Sequence, residues 1–317
     1  MTRAAAVDCG TNSVRLLVTD IDPVTGTQVD LDRQMRVVRL GEGVDATGRL
    51  SDAALARTFA AVEDYARTVA DLGAERVRFV ATSASRDAEN AAGFVAGIRE
   101  RLGVEPEVVA GAEEAELSFL GATRELAGVV PGPFCVVDLG GGSTEVVVGD
   151  VRDGVPVVHA SRSVDVGCVR LTERHLVADP PSPGQVAAAR ADVEAALDEV
   201  ERTVDLTGVR TLVGLAGSVT TIAAETLALA AYEPDRIHGS VHTIEDMLAA
   251  SERLLRATRQ EREGRGFMHP GRVDVIGAGA LVWQGVLERV RLRSGVTEVR
   301  VSEHDILDGI AWSLARA

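Results

Sequence analysis

The sequence predicts an α/β protein of two related domains, and three observations carry that reading. Phe134 to Asp150, FCVVDLGGGSTEVVVGD, sets two β-branched runs on either side of an acid and three consecutive glycines, the pattern of strand, tight turn and strand. Val7 to Asp20 aligns on Val137 to Asp150 without gaps, matching Asp8 to Asp138, Gly10 to Gly140, Ser13 to Ser143 and Val18 to Val148. A second pair follows at a comparable distance: Val80 to Arg86 and Leu215 to Thr221 each close a strand and open a helix. Repetition of two unlike motifs in one order indicates duplication of a whole domain.

In chain order, Ala4 to Cys9 and Val14 to Asp20 form the first hairpin. Thr27 to Leu40 extends it after the turn residues Asp22-Pro23 and Gly26. Gly41 to Leu50 lacks periodicity, and Ser51 caps a helix from Asp52 to Leu72 with Leu55, Phe59, Val62 and Val69 on one face. Arg76 to Thr82 is a strand, Ala88 to Leu102 a helix, Val104 to Ala110 a strand and Ala112 to Leu126 a helix. Gly128-Val-Val-Pro-Gly-Pro133 interrupts all periodicity, so the domains are read as 1–127 and 128–317. The second repeats the plan: after its hairpin come a strand over Val155 to Val166, a short helix over Cys168 to Leu176, and a long helix over Gln185 to Val204. Val209 to Ala216 is a strand. Helices follow over Val219 to Ala231, Ile244 to Thr258 and Arg272 to Val290, then a strand over Val296 to Val301 and a helix over Glu303 to Ala315.

Composition bounds the function. A length of 317 residues with 46% hydrophobic residues supplies a core for each of two domains. No run approaches the ~18 apolar residues of a membrane helix, and Ala4 to Val7 is too short for a secretory signal, so a cytoplasmic protein without membrane contact is expected. Cys9, Cys135 and Cys168 are too scattered for a disulfide framework or a zinc motif. A net charge of −15 argues against nucleic acid, whose binders present a basic face. All 33 basic residues are arginine, so a Walker A lysine and Schiff-base chemistry are excluded. The six histidines suggest no triad with a serine, and a histidine-activated nucleophile is not supported.

The two glycine turns can aim successive amide N–H groups at one anion, with Asp138 beside the second turn where a phosphate-bound divalent cation would sit. Two such hairpins and two strand-to-helix turns resemble the layout of the actin-like ATPase superfamily. Within it the chain is most similar to the exopolyphosphatase and guanosine pentaphosphate phosphohydrolase family. The segments that carry the resemblance are AVDCGTNSVRLLV from Ala6, TSASRDAEN from Thr82, GAEEAELSFLGA from Gly111 and VVDLGGGSTE from Val136. VGCVRLTE from Val166, GLAGSVTTIAA from Gly214 and HPGRVDVIGAGA from His269 complete it.

The resemblance implies two ribonuclease H-like domains, each a mixed five-stranded sheet with flanking helices, an active site in the cleft between them, and last helices that lean back on the first domain. It implies Glu114 as the catalytic base that deprotonates water and Glu145 lining the same site. Asp138 is the implied ligand for Mg2+ or Mn2+, with Asp8 as its duplicate. Phosphate oxygens would be held by Gly10, Thr11, Asn12, Ser13, Gly140, Gly141, Gly142, Ser143, Gly217 and Ser218, helped by Arg15, Arg86 and Arg272. The expected reaction is attack of water on the terminal phosphoryl of inorganic polyphosphate, without a covalent intermediate. Guanosine pentaphosphate is the alternative substrate; with aromatics at only 3%, little is available to stack on a base. A superfamily kinase and a non-catalytic polyphosphate or alarmone sensor are the remoter alternatives. A homodimer is expected, and the extra carboxy-terminal domain of longer family members has no counterpart in this sequence.

Overall fold

The computed structural model describes residues 1–126, 128–152 and 155–316. Contacts divide the chain into two compact units, one of Met1–Gly121 with Ile306–Ala317 and one of Ala122–Asp305. The division read from the sequence ends its first domain on Ala127, which lies outside the described residues.

In the first unit, β1 (Thr2–Cys9), β2 (Ser13–Asp22) and β3 (Thr27–Val37) form an antiparallel meander. The one-turn helix α1 (Val44–Thr47) lies in a stretch read as aperiodic, and α2 (Asp52–Leu72) follows, capped by Ser51, whose side chain accepts the Ala54 N–H. Then come β4 (Arg76–Ala81), the single turn α3 (Ser83–Arg86), α4 (Ala91–Leu102), β5 (Glu107–Val108) and α5 (Gly111–Thr123), whose end from Ala122, with the 3-10 turn Arg124–Leu126 that extends it, belongs to the second unit. The sheet order is β3-β2-β1-β4-β5, with β1, β4 and β5 parallel. β1 is buried on both faces, which is why Ala4 to Val7 is uninterrupted apolar sequence. β3 closes the edge and is largely exposed and charged, which discourages pairing with another chain.

The second unit repeats this plan with one addition. β6 (Phe134–Leu139), β7 (Thr144–Arg152) and β8 (Val155–Val164) are its meander, followed by α6 (Cys168–Arg174) and α7 (Pro183–Glu201), the latter begun by a Ser182–Gln185 capping box. β9 (Thr211–Leu215), α8 (Ala216–Thr226), α9 (Pro234–Ile237), β10 (Val241–Thr243), α10 (Ile244–Arg256), α11 (Arg259–Glu263), α12 (Ile276–Ser294) and β11 (Glu298–Val301) follow. The sheet order is β10-β11-β9-β6-β7-β8, six strands where five were expected. The extra strand, β10, is only three residues long and begins with an exposed Val241, too short to give a periodic signal. The expected helix from Arg272 instead starts at Ile276, behind a 3-10 turn over Pro270–Arg272.

Both meanders share an irregularity. The register slips between Val18 and Thr19 in the first and between Val148 and Gly149 in the second, which are aligned positions of the repeat. A bulge kept at the same place in both copies sets the same bend in both outer strands.

The last described helix, α13 (Ile306–Arg316), belongs to the first unit. Ile306, Leu307, Ile310 and Trp312 cover the sheet face that presents Ala6, Leu17, Ile21 and Val80, while the opposite face packs on Val62, Tyr65, Phe94 and Ile98 from α2 and α4. Asp308 pairs with Arg33 at 2.5 Å and Trp312 donates to Gln28 at 2.6 Å, fixing the helix on the meander.

Candidate active site

The parallel pairings decide what stands beside each glycine turn. Cys9 lies next to Ala81, so the β1–β2 turn sits beside the start of α3. Asp138 lies next to Leu215, so the β6–β7 turn sits beside the start of α8. Each unit thus gathers a hairpin turn and a helix amino terminus at the carboxyl ends of its central strands, the position where open α/β sheets hold ligands.

The turns are built alike. Gly10 N–H donates to the Ser13 carbonyl and Gly140 N–H to that of Ser143, both at 3.0 Å. Their other carbonyls are occupied: Thr11 O accepts from Gly41 N–H, and Asn12 O from Val38 and Arg39 N–H. In the second turn Gly140 O accepts from Cys168 N–H, Gly141 O from Val169 and Arg170 N–H, and Gly142 O from Arg170 Nε. Among the described residues no protein acceptor meets the backbone N–H groups of Thr11, Asn12, Gly141 or Gly142. A turn with its carbonyls engaged and its amides open is a donor cradle for an anion.

Two glycines that sequence reasoning passed over permit this packing. A Cβ on Gly41 would lie 2.3 Å from Thr11 Cγ2, and one on Gly167 would lie 2.5 Å from the Gly141 carbonyl. Both positions demand glycine through close approach, a signal that a glycine-by-glycine reading of the repeat could have caught.

The carboxylates differ between the copies. Across β1–β2, Asp8 faces Arg15, whose Nη2 and Nε donate to Oδ2 at 2.7 and 3.0 Å. Across β6–β7, Asp138 faces Glu145, and Ser163 Oγ donates to Glu145 Oε1 at 2.7 Å. Asp138 and Glu145 are 7% and 1% exposed, so two acids share one buried patch of sheet. Like charges opposite each other on a sheet repel; a hard divalent cation, which takes oxygen ligands, fits such a pair. Asp8, also buried, is paired with Arg15.

Glu114 stands in the first turn of α5, 7% exposed, with Oε2 at 3.3 Å from Arg86 Nη1. The same Arg86 nitrogen donates to the Val109 carbonyl at 3.0 Å. Thr11 Oγ1 and Ser83 Oγ share a hydrogen bond of 2.8 Å, joining the first turn to α3. Asn12 Oδ1 and Ser85 Oγ are buried without a partner, polar capacity that a ligand could use.

In the second unit Ala216 opens α8 with φ +66°, a left-handed conformation costly for a side-chain-bearing residue. Arg272 lies flat on Gly217, where a Cβ would be 2.4 Å from Cζ, and donates from Nη1 to Thr221 Oγ1 at 3.2 Å. Gly279 gives Ser218 the same close seat, a Cβ there lying 2.4 Å from its Oγ. Cys168 adjoins the group; burial raises its thiol pKa, against the opposing pull of a hydrogen bond with Ser218 and the charge of Arg272. Gly10 to Arg15 with Asp8, and Asp138 to Glu145 with Gly217, Ser218 and Arg272, are therefore assembled within their own units. Of the three arginines expected on phosphate, Arg15 and Arg86 are paired with acids.

A profile of the Ppx/GppA phosphatase family matches residues 17–314. The chain is 50% identical to a Mycobacterium tuberculosis protein named Exopolyphosphatase 2, over 99% of both chains. It is 28% identical to the guanosine-5'-triphosphate,3'-diphosphate pyrophosphatase of Aeromonas salmonicida over 92% of this chain and 55% of that one. Among solved structures it is similar to an exopolyphosphatase-like protein, with TM-score 0.95, 43% identity and coverage of 99% and 98%. It is also similar to the Aquifex aeolicus Ppx/GppA family member, with TM-score 0.79, 30% identity and coverage of 99% and 98%.

Proposed function

Because this chain belongs to the Ppx/GppA phosphatase family, we propose that it is an exopolyphosphatase, a hydrolase that releases orthophosphate from the end of inorganic polyphosphate. The observation that carries the reading is the 50% identity, over the whole length of both chains, with a protein of that name. The relatives named for guanosine pentaphosphate are more distant, at 28% and 32% identity.

In this reading Glu114 is the base that orients and deprotonates water, a role worth roughly a hundred- to ten-thousand-fold in rate. Arg86 holds its carboxylate in place. The open amides of Thr11, Asn12, Gly141 and Gly142, with Ser143, the start of α8 at Gly217-Ser218 and Arg272, bind phosphate oxygens. Asp138 and Glu145 hold Mg2+ or Mn2+, which when bound neutralises charge on the polyanion. Asp8, tied to Arg15, serves to position the first turn. Two further parts of the proposal are a cytoplasmic location and a homodimer; what supports the first is that no described helix is long and apolar enough to cross a membrane. The deciding measurement is orthophosphate release, with Mg2+ present, from polyphosphates of graded length and from guanosine pentaphosphate. A higher kcat/KM for guanosine pentaphosphate would overturn the assignment.

A further inference from the structure

Three residues far apart in sequence, none of them used by the catalytic reading, meet on the second unit. Glu125 lies in the 3-10 turn after α5, His238 follows α9, and His304 follows β11. Glu125 Oε2 is 3.0 Å from His238 Nε2, and Oε1 is 3.2 Å from His304 Nδ1. The two imidazoles lie 4.4 Å apart, centroid to centroid, tilted by 40°. One donor atom from each residue falls within 4.8 Å of the other two. Ligand atoms on one tetrahedral zinc ion stand about 3.3 Å apart, given bonds near 2.0 to 2.1 Å. The Glu125 side chain is 56% exposed and can turn to admit an ion, whereas the imidazoles, at 33% and 29%, are partly enclosed. Two histidines and one glutamate, with a fourth position open to water, form a donor set suited to zinc. Magnesium, which takes oxygen ligands, is not suited to it.

We propose that Glu125, His238 and His304 bind one zinc-class divalent ion, at a site separate from Asp138 and Glu145. The idea does not depend on the catalytic assignment. A second consequence comes from the hydrogen bond that Glu303 N–H donates to His238 Nδ1 at 3.2 Å. In that arrangement the neutral ring carries its proton on Nε2 and donates it to Glu125. An ion on Nε2 sends the proton to Nδ1, where it faces the Glu303 N–H, and the bond between them is lost. Ion uptake therefore frees the backbone at Glu303. The Glu303 carboxylate accepts from Tyr232 OH at 2.5 Å, and Tyr232 OH is 2.7 Å from Thr220 Oγ1 in α8. The ion is thus coupled to the helix that presents Gly217 and Ser218.

The test is calorimetric titration of the full chain with Zn2+ under excess Mg2+, which occupies oxygen-only sites, with amide hydrogen exchange read at Glu303. One equivalent of Zn2+ is expected, weakened at least about tenfold by His238→Gln and by His304→Gln and unchanged by Asp138→Asn, with faster exchange at Glu303 on binding. His238 and His304 are partly exposed and Asp138→Asn keeps the shape of a buried side chain, and circular dichroism checks that each variant is folded. Absence of a stoichiometric isotherm, or the same isotherm in both histidine variants, would overturn the site. Loss of binding in Asp138→Asn would assign the ion to the carboxylate pair instead and equally overturn it. Unchanged exchange at Glu303 would remove the coupling.

Discussion

Glu145 stands opposite Asp138 across β6–β7 in the place where Arg15 stands opposite Asp8 across β1–β2. One copy of a duplicated hairpin neutralises its acid internally, and the other opposes two acids. The first prediction concerns that asymmetry. In chelator, Asp138→Asn removes the like-charge contact with Glu145, a contact worth up to about 1 kcal/mol by itself. With polyphosphate as substrate, the same variant needs more Mg2+ for half-maximal rate. Arg15→Gln does the reverse: it takes the guanidinium away from Asp8, which is 5% exposed, and costs about 3 kcal/mol without altering the Mg2+ requirement. Denaturant unfolding and Mg2+ titrations of rate separate the two cases.

Glu114→Gln keeps the shape of the side chain and its reach to Arg86 while removing its basicity. Turnover falls by a hundred-fold or more, and polyphosphate binding, measured directly, stays within a few-fold of the parent. A variant that keeps more than about a tenth of the rate identifies another base.

Gly167→Ala places a methyl group 2.5 Å from the Gly141 carbonyl, and that neighbour is backbone with no rotamer to yield. The second turn shifts, KM for polyphosphate rises and the melting temperature drops. Gly184→Ala is the control: nothing lies within 4 Å of its added carbon, and near the start of α7 it raises stability by up to about 1 kcal/mol.

Three cysteines report on the core through pH. Burial pushes the Cys135 thiol up to about 12. Burial, with the adjacent Asp8 charge, raises Cys9, and burial raises Cys168. Thiols that stay protonated in the fold and ionise in the unfolded chain give stability that is complete below about pH 8.5. It declines as pH rises from there through the folded value, at up to ~1.4 kcal/mol per pH unit for each thiol. Denaturation midpoints at pH 7, 9 and 10 measure the decline, and the native protein at pH 8 should leave Ellman's reagent unreacted.

The hairpins were legible because their information is local. Glycines between β-branched runs fix the turn, and the aligned acids at 8 and 138 mark where the strands end. The same aligned residues predicted neither the bulge at Val18 and Val148 nor the pairing of Asp8 with Arg15, since both depend on which residue the neighbouring strand presents. β5 was read as Val104 to Ala110 and is only Glu107–Val108, an exposed edge that pairs with β4 through two residues. Apolar residues there serve packing rather than a ladder. Glu125, His238 and His304 were invisible in the sequence, because no spacing rule links positions that only the fold of the second unit brings together.

The covering of the first sheet by α13 has a consequence for synthesis. Ala6, Leu17 and Val80 belong to strands that leave the ribosome early, yet the helix that buries their face is translated after the entire second unit. At 5 to 20 residues per second, the roughly 180 intervening residues take about 10 to 40 s. Through that interval the nascent chain displays one side of a β-sheet without its α13 cover, Val109 and Leu117 being the part of that cluster already made. A trigger-factor-like holdase has its natural window there, and a ribosome stalled before codon 306 leaves a first unit that is half dressed while the second, continuous in sequence, is already able to close.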